Sequence, residues 1–206
     1  MNSLIGLAAV VLYVPVLAAE ANPLTLALRE PQAGTAAAES MPADGASDFD
    51  YSLGTWRTEV ALRRELLQGS DSWAHYEGTS VVHAIWGGRA NMVELDVEGP
   101  AGRIEGLSLR LYNPQARQWS LNYANSRRGA MGSPVVGEFR DGRGVFYGQE
   151  TVDGRIVLVR FIVTQLTPDS WRYVQAFSDD GGATWEDNWI AIDTLITPPD
   201  SGSEGG

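Results

Sequence analysis

The chain has no cysteine and no lysine among its 206 residues. Without cysteine there are no disulfides, thiol nucleophiles, iron–sulfur ligands or thiolate zinc sites. Without lysine there is no Schiff base, and all 15 basic side chains are arginines, groups suited to gripping carboxylates or phosphates. Histidine is nearly absent as well. His75 and His83 are eight residues apart, roughly 26 Å along one continuous strand at about 3.3 Å per residue, so they cannot share a metal there. No metal site and no cofactor is expected, with haem ligation by one histidine left open.

Positive charge is scarce too. Fifteen basic residues against 26 acidic ones leave a net charge of −11, which argues against nucleic acid or an anionic membrane as a partner. No phosphate loop, G-x-G-x-x-G or G-x-S-x-G elbow occurs, so nucleotide binding and serine hydrolysis lack their usual signatures. Hydrophobic residues make up 44% of the chain, enough to fill the core of one domain of this length.

The opening apolar run, Leu4 to Ala18, is short for a transmembrane span, and Ala19-Glu20-Ala21 places small residues at the spacing of a cleavage site. Residues 1–21 read as a secretory signal peptide. The protein would then be periplasmic or secreted, with no stable membrane insertion after cleavage. An uncleaved anchor is the alternative, because no Lys or Arg precedes the run; lipoprotein processing is excluded by the missing cysteine. Residues 22–47 are rich in Ala, Pro, Gly and acids, without an aromatic, and read as a flexible linker. Residues 197–206 read as a disordered tail by the same compositional argument. All seven tryptophans fall in the remaining domain, 48–196.

Within that domain apolar and polar residues alternate over short runs near 55–62, 73–85, 91–97, 103–112, 117–125, 135–139, 144–150, 155–164, 170–178 and 184–195. Turn-forming pairs such as Asp141-Gly142 and Asp153-Gly154 separate them. Short loops join antiparallel neighbours, and closing such a meander removes its edges. The expectation is an all-β, antiparallel up-and-down barrel of about ten strands, with a sandwich as the alternative.

Two motifs bear on kinship. Ser178-Asp-Asp-Gly-Gly-Ala-Thr-Trp185 has the S-x-D-x-G-x-T-W spacing of the Asp-box in sialidase propellers. The chain is too short for a propeller and carries the box once, so it reads as a hairpin turn in which Asp180 accepts backbone N–H groups. Gly54-Thr55-Trp56, at the start of the first strand, resembles the G-x-W of lipocalins and related calycin barrels. The order of that motif, Arg110-Leu-Tyr-Asn-Pro114, Ser126-Arg-Arg-Gly129, Phe146-Tyr-Gly148 and the Asp-box resembles a bacterial family of lipocalin-like barrels of unknown function. The likeness covers 48–196 and implies a fold and a cavity, without catalytic residues to carry over. The chain departs from lipocalins in lacking their threonine-aspartate-tyrosine motif and the arginine of the last strand.

Binding candidates follow from strand parity. Trp119, Leu121, Tyr123 and Asn125 share one face, and Trp171, Tyr173, Gln175 and Phe177 another, mixing aromatic and hydrogen-bonding groups as small-molecule cavities do. A filled core would show the same pattern. Arg110 and Arg160 interrupt apolar strands, either against an anion inside or snorkelling along the outer wall. Arg127 shares parity with Asn125 and so is expected to face the barrel mouth, with Arg128 facing solvent. These residues suggest a protein that binds a small amphipathic or aromatic molecule. The alternative is a metal-independent isomerase, cyclase or hydro-lyase using Tyr147, Glu150 or His83 as acid or base, which requires Tyr147 and Glu150 to reach one cavity. The apolar outer face of 155–164 also admits a homo-oligomer.

Overall fold

Asp141-Gly142 and Asp153-Gly154 each place two successive residues at positive φ, at 51° and 75° and at 49° and 74°. Such pairs form two-residue turns whose twist matches that of the strands on either side. They close the hairpins β6 (Val135–Arg140) to β7 (Arg143–Val152) and β7 to β8 (Arg155–Thr167).

The computed structural model describes residues 44–197, and the remaining strands are β1 (Gly54–Arg63), β2 (Trp73–Ile85), β3 (Ala90–Gly99), β4 (Gly102–Asn113), β5 (Gln118–Asn125), β9 (Ser170–Ser178) and β10 (Glu186–Thr197). Every strand pairs antiparallel with its sequence neighbours, and β1 pairs with β10, for example Val60 with Ala191. The sheet is therefore a closed ten-stranded barrel of the lipocalin/calycin-like class. The signal-peptide reading of 1–21, the linker reading up to residue 43 and the tail reading beyond residue 197 lie outside the described residues.

The two ends of the barrel are built differently. Ahead of β1, a turn of 3-10 helix (Asp50–Ser52) lies across one end and inserts Phe49 between Trp119, at 5.1 Å, and Phe139, at 4.9 Å, both edge-on. Tyr51 stacks on Trp171. Two indoles anchor this plug to the barrel: Trp56 Nε1 donates to the Ser52 carbonyl and Trp119 Nε1 to the Gly45 carbonyl, each at 2.8 Å. Residues 44–47, the end of the stretch that reads as linker, thus belong to the closing segment. Phe49 is fully buried, which contributes about 1.5–3 kcal/mol by area alone, with edge-on pairs adding about 0.5–1.5 kcal/mol each.

The Asp-box is the turn between β9 and β10. The Ser178 hydroxyl donates to Asp180 Oδ1 and accepts from Gly182 N–H, while Thr184 donates to Asp180 from both its backbone N–H and its hydroxyl. The Thr184 bonds, with that from Ser178, hold the Asp180 carboxyl well below the usual carboxylate range. Gly181 and Gly182 supply the positive φ that the turn requires. Trp185 then lies on the outer wall, with the Arg160 guanidinium 4.5 Å over its ring and Tyr147 beside it.

Candidate functional site

Phe49, Trp119 and Phe146 fill the lumen beside the plug, and Val152, Val157 and Phe177 with Leu66 and Leu67 pack a smaller apolar cluster toward the other end, while the small residues Gly106, Ser108 and Ala191 leave a hollow on one side between them. The hollow is a cavity of about 280 Å³. Val93, Leu95, Leu121, Val159, Phe161 and Trp189 give it apolar walls. The loop joining β5 and β6 borders its mouth with Arg128, Ala130, Gly132 and Ser133, and Glu150 faces them. That loop is tied down by Gly132 N–H donating to the Tyr123 carbonyl at 2.8 Å and by Arg128 N–H donating to Asn125 Oδ1 at 2.9 Å. Arg128 and Glu150 approach to 3.5 Å across the mouth, a partly exposed pair of small energetic weight.

The polar groups converge on the floor, next to the plug. Asp193 of β10 is only 7% exposed and accepts a hydrogen bond from the Thr58 hydroxyl at 2.6 Å. A hydroxyl has one proton, so the 2.7 Å contact between Thr58 and Ser80 is donated by Ser80, giving a relay from β2 through β1 to β10. Burial pushes the Asp193 carboxyl up to about 6, with the Thr58 bond and the Arg110 charge opposing that rise. Arg110 of β4 is 6% exposed; its guanidinium lies 4.5 Å over the Phe49 ring and donates through Nη1 to the Ser52 hydroxyl at 3.1 Å. Its Nε–H has no partner among the described residues. Tyr173 lies beside it, its hydroxyl pushed well up chiefly by burial, with Asp193 adding to the rise, so the phenol stays neutral. A buried guanidinium costs several kcal/mol unless compensated, and the Phe49 face and Ser52 supply only part of that compensation.

Among the residues singled out from the sequence, Arg110, Tyr123, Tyr173, Gln175 and Glu150 line the cavity. Trp119 faces inward but is buried in the plugged half, where Phe49 packs on it. Arg160 is on the outer wall over Trp185, so its charge does not reach the lumen. Arg127 corrects the parity expectation: its guanidinium donates to the carbonyls of Ala101 and Arg103, outside the cavity, and Arg128 is the arginine at the mouth. The reason is local. β5 ends at Asn125, whose side chain and carbonyl cap the following turn, and alternation stops there. Tyr147 is exposed on the outer face beside Trp185, whereas Glu150 faces inward, so the two do not share a cavity. His83 also lies outside, 3.6 Å from Glu94.

Asp193, Thr58, Ser80 and Arg128 were not anticipated as site residues. One signal was available for Asp193, which is an acid at inward parity in the otherwise apolar series Trp189, Ala191, Leu195. Among the described residues no three His, Cys, Asp or Glu side chains gather as metal ligands, and no helix is long and apolar enough to cross a membrane.

A closed antiparallel barrel, plugged at one end and opening on a mixed polar and apolar lumen at the other, is the class of protein that fold and site define. No family model matches the chain, and no curated protein matches it. Among solved structures it is similar to the S-type phycobiliprotein lyase CPES from Guillardia theta, with 11% identity and a TM-score of 0.51 over 72% of this chain and 90% of that one. It is also similar to a de novo designed fluorescence-activating beta barrel, with 13% identity and a TM-score of 0.40 over 73% of this chain and 98% of the design. At 11% identity the likeness to the lyase is one of fold.

Proposed function

We propose that the protein binds a small amphipathic or aromatic molecule in the open half of its barrel, and that it acts in the periplasm or outside the cell as a member of the bacterial lipocalin-like group it resembles. The observation that carries this reading is the cavity of about 280 Å³, with apolar walls and a buried Arg110–Asp193 floor. A molecule of matching shape would gain from leaving water along the walls, at about 25 cal/mol per Å² of apolar surface, and would be oriented by the floor. The barrel of the phycobiliprotein lyase supports the architecture, and the lyase activity is that protein's own. Export rests on the opening apolar run and is tested separately, by comparing the mass of the protein recovered from a bacterial periplasm with that of the full chain.

The binding reading is tested by native mass spectrometry of protein purified from its own extract, alongside titration with N-phenyl-1-naphthylamine. Trp189 lines the cavity and serves as an intrinsic reporter. A co-purifying small molecule, or saturable quenching with a blue-shifted probe, is expected. A protein that carries nothing and quenches with nothing contradicts the reading.

A further inference from the structure

The cavity is lined by four charged side chains, Arg110, Arg128, Glu150 and Asp193, two of each sign. Its net charge is therefore zero when all four are ionised. The pair at the mouth is mutually neutralising at 3.5 Å. On the floor the charges are arranged as hydrogen-bonding functions. Arg110 can only donate, and part of its fork is unspent, since Nη1 meets the neutral Ser52 hydroxyl and Nη2 has no hydrogen bond among the described residues. Asp193 accepts from Thr58 through Oδ1 alone among its oxygens in the described hydrogen bonds, which leaves acceptor capacity on the carboxylate. Both groups are more than nine-tenths buried, so water offers them little.

We propose that the cavity takes a neutral amphipathic molecule head-first, with a buried head that carries a hydrogen-bond acceptor and donor side by side, such as a primary carboxamide or a lactam, in preference to a carboxylate. This inference rests on the reading of the lumen as a binding site and assigns that site its ligand class. A carbonyl oxygen of such a head accepts a hydrogen bond from Arg110 while its N–H donates to Asp193. A carboxylate brought to Arg110 would instead meet Asp193 as a like charge in a desolvated site, where such contacts are poorly screened. The volume sets the size: about 280 Å³ is the space of roughly nine waters at about 30 Å³ each, enough for a two-ring body.

The test uses a matched set of probes, 2-naphthamide, 2-naphthoate and 2-acetylnaphthalene, titrated into the full chain at neutral pH by tryptophan quenching and calorimetry. Naphthamide should bind at least about tenfold tighter than naphthoate, the factor that an unfavourable contact of about 1.4 kcal/mol produces, with the acceptor-only ketone between them. Asp193→Asn should shrink or invert that ratio by about tenfold, because it leaves Arg110 without a competing negative charge. Arg127→Ala, outside the cavity, should leave it unchanged. Naphthoate binding as tightly as naphthamide to the wild type overturns the proposal whether or not the variant folds, and so does a folded Asp193→Asn protein with the wild-type ratio. If none of the three binds while N-phenyl-1-naphthylamine still does, the head-group assignment falls and the binding cavity stands. If that probe fails as well, both fall.

Discussion

At the plugged end of the barrel Phe49, Trp119 and Phe146 are almost completely buried and pack ring against ring; at the open end Tyr123 is 40% exposed and Trp189 faces a hollow. Both ends are built from the same strands with the same alternation. In β5 the inward series Trp119, Leu121, Tyr123, Asn125 begins as solid core and finishes as cavity wall. Parity therefore decides which side chains face in, and a separate segment, 44–53, closes one end of the space they surround. The plug also sets the chemistry of the hollow, because Phe49 and Ser52 hold the Arg110 guanidinium that forms part of the cavity floor.

The sharpest way to break this division is Phe49→Ala. Removing a fully buried ring that touches Trp119, Phe139 and Phe146 should cost about 3–5 kcal/mol in denaturant unfolding. A loss below about 1 kcal/mol would mean that the plug is not part of the core.

Asp193, between the two halves, gives the next largest effect. Its folded carboxyl sits at about 6 against an ordinary 3.8, so between those values the folded protein holds the proton more tightly than the unfolded chain does. Stability from this group is present at low pH and is lost as pH rises through that window, by roughly 3 kcal/mol once fully ionised. Asp193→Asn cannot ionise. Its unfolding free energy minus that of the wild type should therefore be larger, in the direction of a more stable variant, at pH 7.5 than at pH 4.5, by about 2 kcal/mol. A difference independent of pH would place Asp193 in water.

Smaller effects belong to the outer wall and the mouth. Arg160→Ala should cost about 1 kcal/mol through the lost Trp185 contact and leave ligand affinity unchanged. Arg128→Ala should change unfolding by no more than about 0.5 kcal/mol, because its pair with Glu150 is partly exposed. A larger stability loss there would show that the open end contributes to the fold on a par with the plugged one.

Local chemistry explains what the sequence made legible. The strands of the barrel could be read because alternation and turn pairs such as Asp141-Gly142 act over a few residues, and the Asp-box could be read as a turn because Asp180 bonds to Thr184 four residues away. The floor of the site could not, since Thr58 meets Asp193 only when β1 closes on β10, across 135 residues of sequence. The plug escaped as well, because 44–47 contributes carbonyls, which every residue has, and no side-chain signal. Arg127 and Arg128 changed places because Asn125 caps a turn one residue before strand parity would have been counted out.

If a small molecule binds in the open half of the lumen, filling that half must abolish binding while leaving the barrel intact. Ala191, 6% exposed on β10, faces the hollow, so Ala191→Phe should fill it without the usual cost of overpacking. The decisive measurement is a fluorescence titration of N-phenyl-1-naphthylamine into wild type and Ala191→Phe, with thermal unfolding recorded for both. One saturable site is expected in the wild type, and in the variant affinity at least about tenfold weaker with unfolding essentially unchanged. Equal affinity in the two folded proteins would place the binding site elsewhere and contradict a site in the open half.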